Sequence, residues 1–184
     1  MRTKAERATQ RSKQELVAKI VGRLMRQHST AAVLFHHAVA DRLGLGTTDH
    51  KCLDLLRERG AMTGSDLAAI TGLTTGAITG VVGRLERAGY LRRESDPHDG
   101  RKQKLSPAVE RIRDLHEVFD PLRKDVVALL QGFDTLQLTA MVEFLTRSTE
   151  TIYRHVALLR SDTLRLGPNS PTQAATQPKH LKSR

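Results

Sequence analysis

Between Thr63 and Ser106 the chain sets small and hydroxylated side chains beside a run of arginine and lysine. The stretch Thr74-Thr75-Gly76-Ala77-Ile78-Thr79-Gly80 has a chemistry suited to the edges of base pairs. Small groups let a helix backbone sit deep in a major groove, threonine hydroxyls can bond base edges, and their methyls can pack on thymine. Ser65 precedes this stretch in an earlier helical turn, and Arg84 lies farther along, placed for a phosphate or a guanine. Arg92, Arg93, Arg101, Lys102 and Lys104 then cluster between positions 92 and 104, against Glu94, Asp96 and Asp99. A basic finger just after such a helix can reach a phosphate or enter a narrow minor groove. The expected DNA contacts are therefore Ser65, Thr74, Thr75, Gly76, Ala77, Thr79, Gly80, Arg84, Arg101 and Lys102. The chemistry is non-covalent recognition of duplex DNA.

Other chemistries find less support. No Gly-rich phosphate loop, nucleophile elbow or zinc-protease helix motif occurs. Asp96, His98 and Asp99 sit at a hairpin tip too small to enclose a reaction. Carboxylates elsewhere stand beside basic residues, where i,i+4 pairing is their ordinary role. Single-strand or RNA surfaces rely on aromatic platforms, and only 3% of the 184 residues are aromatic. A formal charge of +10 favours a polyanionic partner. The one cysteine, Cys52, excludes an intrachain disulfide and a cysteine-rich zinc site, and reads as a small core residue. His36 and His37 are adjacent on one helix and point to different faces, so they make a poor chelating pair by themselves. No cofactor and no metal are expected. The start carries charge rather than an apolar signal region, and no apolar run approaches membrane-spanning length, so a cytoplasmic protein is expected.

The elements that must position these residues are helical. Residues 1–14 are polar and basic and read as a flexible arm. From 15 to 46 the residues Val17, Ile20, Val21, Leu24, Phe35 and Val39 recur at helical spacing, with Gly44 as a stop. Thr47 or Thr48 can cap a second helix that Gly60 ends, and Ala61-Met62 is a brief extended link. Thr63 and Asp66 fit a capping box, Gly72 suits a helix C-terminus, and Thr74 caps the helix running to Ala88. Asp99-Gly100 signals the turn of a hairpin. Ser106-Pro107 is expected to open a fifth helix, which Pro121 should kink or interrupt, and Gly132-Phe133-Asp134 is a break before a sixth. Beyond Ser161 the prolines and polar residues predict a disordered tail.

With Gly64 as first position, the segment meets the constraints of a twenty-residue helix-turn-helix. Ala68 falls where the helices cross, Gly72 in the turn, and Ile78 and Val81 face back onto the first helix. Gly76 and Gly80 each lower helix stability relative to alanine, by about 1 kcal/mol, on a face expected to be exposed. A loss accepted twice there points to close approach by a partner.

The sequence resembles the MarR family of winged-helix transcriptional regulators from about Leu16 to Leu159. The resemblance rests on Leu67-Ala68-Ala69-Ile70-Thr71-Gly72-Leu73, on Arg84-Leu85-Glu86-Arg87-Ala88-Gly89-Tyr90-Leu91 and on Asp96-Pro97-His98-Asp99-Gly100-Arg101. It implies a mainly α fold with a small β-hairpin wing: a winged helix-turn-helix plus a helical dimerisation domain. By the same match Asp99 orients Arg101, and Arg101 enters the minor groove. The implied domains are an arm (1–14), an N-terminal dimerisation helix (15–46), the DNA-binding domain (47–106), C-terminal dimerisation helices (107–160) and a tail (161–184). A homodimer is implied, reading a pseudo-palindromic operator as a repressor that responds to a small aromatic or lipophilic effector. The competing expectation is a protein-interaction module, or a metal- or redox-sensing regulator without such an inducer.

Overall fold

Local hydrogen bonding starts and stops the helices around the turn. The computed structural model describes residues 4–95 and 103–166. Helix α4 (Gly64–Thr71) is preceded by Thr63, whose Oγ1 accepts from the Asp66 amide, while the Asp66 carboxylate accepts from the Thr63 amide. Gly72 closes α4 with φ 74, a left-handed conformation in which a Cβ would be strained. Helix α5 (Thr75–Arg87) starts at Thr74, whose hydroxyl accepts from the Ala77 amide. The two helices bend by 114° across a three-residue break, the geometry of a helix-turn-helix.

Around this pair lie α3 (Thr47–Arg59) and a three-stranded antiparallel sheet ordered β1–β3–β2. Strand β2 is Leu91–Ser95 and β3 is Gln103–Pro107. The short link expected at Ala61-Met62 instead yields strand β1 (Met62–Thr63), which pairs Met62 with Leu105 on β3. The core joins α3, α4, α5, the sheet and the following helix through Leu53, Leu56, Leu67, Ile78, Val81, Leu85, Leu105 and Leu115. Leu56, Leu67 and Leu85 are wholly buried.

Several boundaries differ from expectation. Helix α1 (Lys4–Lys19) covers most of the stretch expected as a flexible arm. Lys, Arg, Gln and Glu are good helix formers, and Arg11 pairs with Glu15 one turn on at 3.1 Å. A polar composition thus removed the core-facing stripe without removing the helix. A π-helical turn (Ile20–Leu24), closed by the Met25 amide on the Ile20 carbonyl, leads into α2 (Met25–Arg42). Gly46, not Thr47 or Thr48, stands at the N-cap of α3.

Pro107 does not open a helix. It ends β3 opposite Leu91, and helix α6 (Val109–Leu130) starts two residues later. The Ala108 amide donates to the Tyr90 carbonyl, so the alternate position, Pro107, faces away from β2 and past the end of β1, where no N–H is required. Helix α6 also runs through Pro121 without interruption. Pro121 is exposed, so the carbonyl it deprives of a partner can turn to water.

The chain divides into two compact units after Asp125. The second unit holds the end of α6, a break at Gln131–Asp134 and helix α7 (Thr135–Leu166). Asp134 and Gln137 exchange side-chain to amide bonds of 2.8 and 3.0 Å, a second capping box. Helix α7 continues to Leu166, past the Ser161 limit expected for the ordered chain. Among the described residues no single helix is long and apolar enough to cross a membrane.

Candidate nucleic-acid interface

Helix α5 separates its side chains cleanly. Ile78, Val81, Val82 and Leu85 are buried, an i, i+3, i+4, i+7 stripe that locks the helix on the core. Thr74, Thr75, Gly76, Ala77 and Thr79 are exposed on the opposite side, with Gly80 half-buried beside them. Ser65 is exposed in the first turn of α4. A Cβ placed on Gly76 would meet nothing within 4 Å, and one on Gly80 would meet only the flexible Arg84 tip at 3.3 Å. The chain's own packing therefore does not require glycine at 76. The hydroxyls are partly committed: Thr74 caps α5, and Thr79 donates to the Thr75 carbonyl at 2.9 Å. Each keeps a free lone pair or proton for an outside partner.

Arg84 also has a partner within the chain. Its guanidinium forms a two-pronged bond with Asp49 on α3, Nε to Oδ2 at 2.8 Å and Nη2 to Oδ1 at 2.7 Å. The Asp49 carboxylate is buried, whereas the Arg84 side chain is half exposed. The hydrogen bond to Asp49 and its charge together raise the Arg84 pKa. Such a fork fixes orientation as well as distance, so Arg84 ties α5 to α3 rather than reaching outward with both prongs. Sequence reasoning missed Asp49, because nothing local signals a partner 35 positions away.

The described hairpin arginines, Arg92 and Arg93, are also engaged. Arg92 pairs with Glu110 on α6, and Arg93 pairs with Glu86 on α5 at 3.0 Å and Gln103 on β3 at 3.4 Å. Ser106 donates to Glu94 across the two strands at 2.9 Å. All lie at the surface, where each pair contributes little stability. Asp96, His98, Asp99, Arg101 and Lys102 lie outside the described residues.

A model of the MarR family matches residues 43–102, which span α3 to the hairpin. An uncharacterized HTH-type transcriptional regulator of Bacillus subtilis, YcgE, is 35% identical over 153 residues, covering 83% of this chain and 99% of that protein. The chain belongs to the MarR family. Members of this family are transcriptional regulators that bind DNA, not enzymes. The fold is similar to that of a MarR family protein from Bacillus stearothermophilus (TM-score 0.59, 19% identity, 75% of this chain and 96% of that one). It is likewise similar to the regulator Tm0710 from Thermotoga maritima (TM-score 0.55, 19% identity, 76% and 98%). Mainly helical with a small antiparallel sheet, this MarR protein has the winged-helix architecture.

The lone thiol of this MarR protein sits in the core. Cys52 is 1% exposed, and burial, reinforced by the Asp49 charge, pushes its pKa up to about 11. Thiolate is the reactive form, so only about one part in 10³ to 10⁴ is reactive near neutral pH. Native protein should resist iodoacetamide at neutral pH for as long as it stays folded, whereas unfolding in urea should expose the thiol to rapid alkylation. Labelling of native Cys52 at the rate of the unfolded chain would contradict this placement.

Proposed function

We propose that this protein is a sequence-specific, ligand-responsive repressor that binds a pseudo-palindromic operator as a homodimer. The observation that carries the reading is the outward face of α5: small, hydroxylated and exposed, on a helix whose other side is fully committed to the core. Ser65, Thr74, Thr75, Gly76, Ala77, Thr79 and Gly80 contact the major groove, and Arg101 and Lys102 reach the minor groove or phosphates, with Asp99 orienting Arg101. Arg84, one turn beyond Gly80, holds α5 at a set angle through Asp49.

Exposed apolar stripes support a homodimer. In the first unit Leu16, Val17, Val21 and Leu24 are exposed along α1 and the π turn; in the second, Leu136, Val142, Leu145, Ile152 and Leu159 are exposed along α7. Monomers rarely leave so many large apolar side chains exposed along helix faces, and a second copy would cover them. A twofold pair of recognition helices then fits half-sites one or more DNA turns apart. The effector expected from the family resemblance is a small aromatic or lipophilic acid, acting by coupling of about 1–3 kcal/mol between its site and DNA.

Footprinting on the DNA upstream of its own gene, with and without a panel of phenolic compounds, tests the reading. Protection of two related half-sites, weakened by one compound class, is expected. If about 6–10 phosphates are contacted, affinity should fall about 10³- to 10⁵-fold between 50 and 200 mM salt. A flat salt profile in a binding titration, or a monomer by analytical ultracentrifugation at micromolar concentration, would count against it.

A further inference from the structure

His36 on α2 and His50 on α3, 14 positions apart in the chain, meet with ring centroids 5.4 Å apart. The His50 side chain is 1% exposed, and neither of its nitrogens has a hydrogen-bond partner. Nδ1 of His36 is likewise buried and unpartnered. Buried polar atoms are nearly always satisfied, and an ion shared by the two rings would give a partner to one nitrogen of each, two of these three. Asp54, one turn beyond His50, brings Oδ2 to 3.6 Å from His36 Nδ1 and 3.9 Å from His50 Nδ1. These separations are too long for hydrogen bonds. One donor atom from each of the three residues lies within 4.8 Å of the other two.

Donors at zinc-ligand distances on a tetrahedral ion stand about 3.3–3.5 Å apart, so a contraction of at most about 1.5 Å between any two donors brings this trio to an ion. Two imidazoles and a carboxylate also form the donor set of three-ligand zinc sites that keep an open position. The surroundings suit neutral donors. Phe119 stacks on His50 with centroids 6.2 Å apart, and Phe35 packs edge-on to both Phe119 and His36. Desolvation lowers the pKa of both histidines, against the opposing charge of Asp54. Lys51 Nζ stands 3.3 Å from Asp54 Oδ2, but it is on a long, exposed side chain that can swing away. Arg57 lies 3.8 Å from the other oxygen, Oδ1. His37, the sequence neighbour, is exposed and takes no part.

We propose that His36, His50 and Asp54 form a binding site for a zinc-type divalent transition metal, with the fourth tetrahedral position left to water. The ion clamps α2 to α3, at the turn where Asp49 anchors Arg84. The site is independent of the reading of α5, and its test needs no DNA.

Chelator-treated full-length protein would be titrated with Zn²⁺ by calorimetry and with Co²⁺ by visible absorption. The expected result is one tight equivalent per chain and the d–d bands of a tetrahedral site. Histidine ¹⁵N shifts of His36 and His50 should move with Zn²⁺ in the native protein, while those of His37 stay in place. His50→Gln and Asp54→Asn should weaken binding by more than the about 10- to 100-fold that loss of an outer-shell partner produces; His37→Gln should leave it unchanged. Asp54 is half-buried, so Asp54→Asn keeps the test open if His50→Gln fails to fold. Undiminished binding in Asp54→Asn, unmoved His36 and His50 resonances, or Co²⁺ bands of an octahedral ion would overturn the assignment.

Discussion

Gly76→Leu is expected to reduce specific operator binding by about 10³-fold or more, to the level of non-specific DNA, without lowering the unfolding temperature. A side chain added at Gly76 meets nothing in the folded chain, so no clash arises within the protein. Leucine is also the better helix former, which favours an equal or higher melting temperature. The same side chain would project from the exposed face of α5, where the backbone must come close to base edges. Fluorescence anisotropy on an operator duplex, beside thermal unfolding by circular dichroism, separates the two effects. Wild-type affinity in this variant would remove α5 as the reading surface, and a large fall in melting temperature would show that Gly76 serves folding after all.

Asp49→Ala is expected to weaken operator binding on the order of 10- to 100-fold, although Asp49 is buried on α3. Its loss removes the fork that holds Arg84 and lets α5 shift on the core. Arg84→Ala should weaken binding by a similar factor, and the double variant should be no worse than either single one, since both break the same tether. Arg84→Lys should not restore affinity, because an ammonium cannot present two parallel donors. A direct DNA contact by Arg84 predicts another pattern. Asp49→Ala would then free the guanidinium and preserve or raise affinity, while Arg84→Ala alone would lose it. The double-mutant cycle on operator affinity distinguishes positioning from contact.

Helix ends around the turn were legible because their causes are local. Thr63 with Asp66, Gly72, and Thr74 with the Ala77 amide each act within three or four residues. The buried stripe of α5 was legible because 3.6-residue periodicity is written in residue order. The capping box of Asp134 and Gln137 is an equally local signal, three residues apart. Helix α1 departs from the arm that its composition suggests because absence of an apolar face says nothing against helix formation by residues of high propensity.

Local order and periodic burial thus specified a helix-turn-helix followed by a two-stranded finger, and the types of residue on its outer side. Whether a side chain there is free or held depended on chain packing. Arg84 meets Asp49, Met62 joins Leu105, and His36 faces His50 only because distant segments share one core. Such pairings are chosen by the fit of buried surfaces and by the need to satisfy charges within them, neither of which leaves a fixed spacing along the chain.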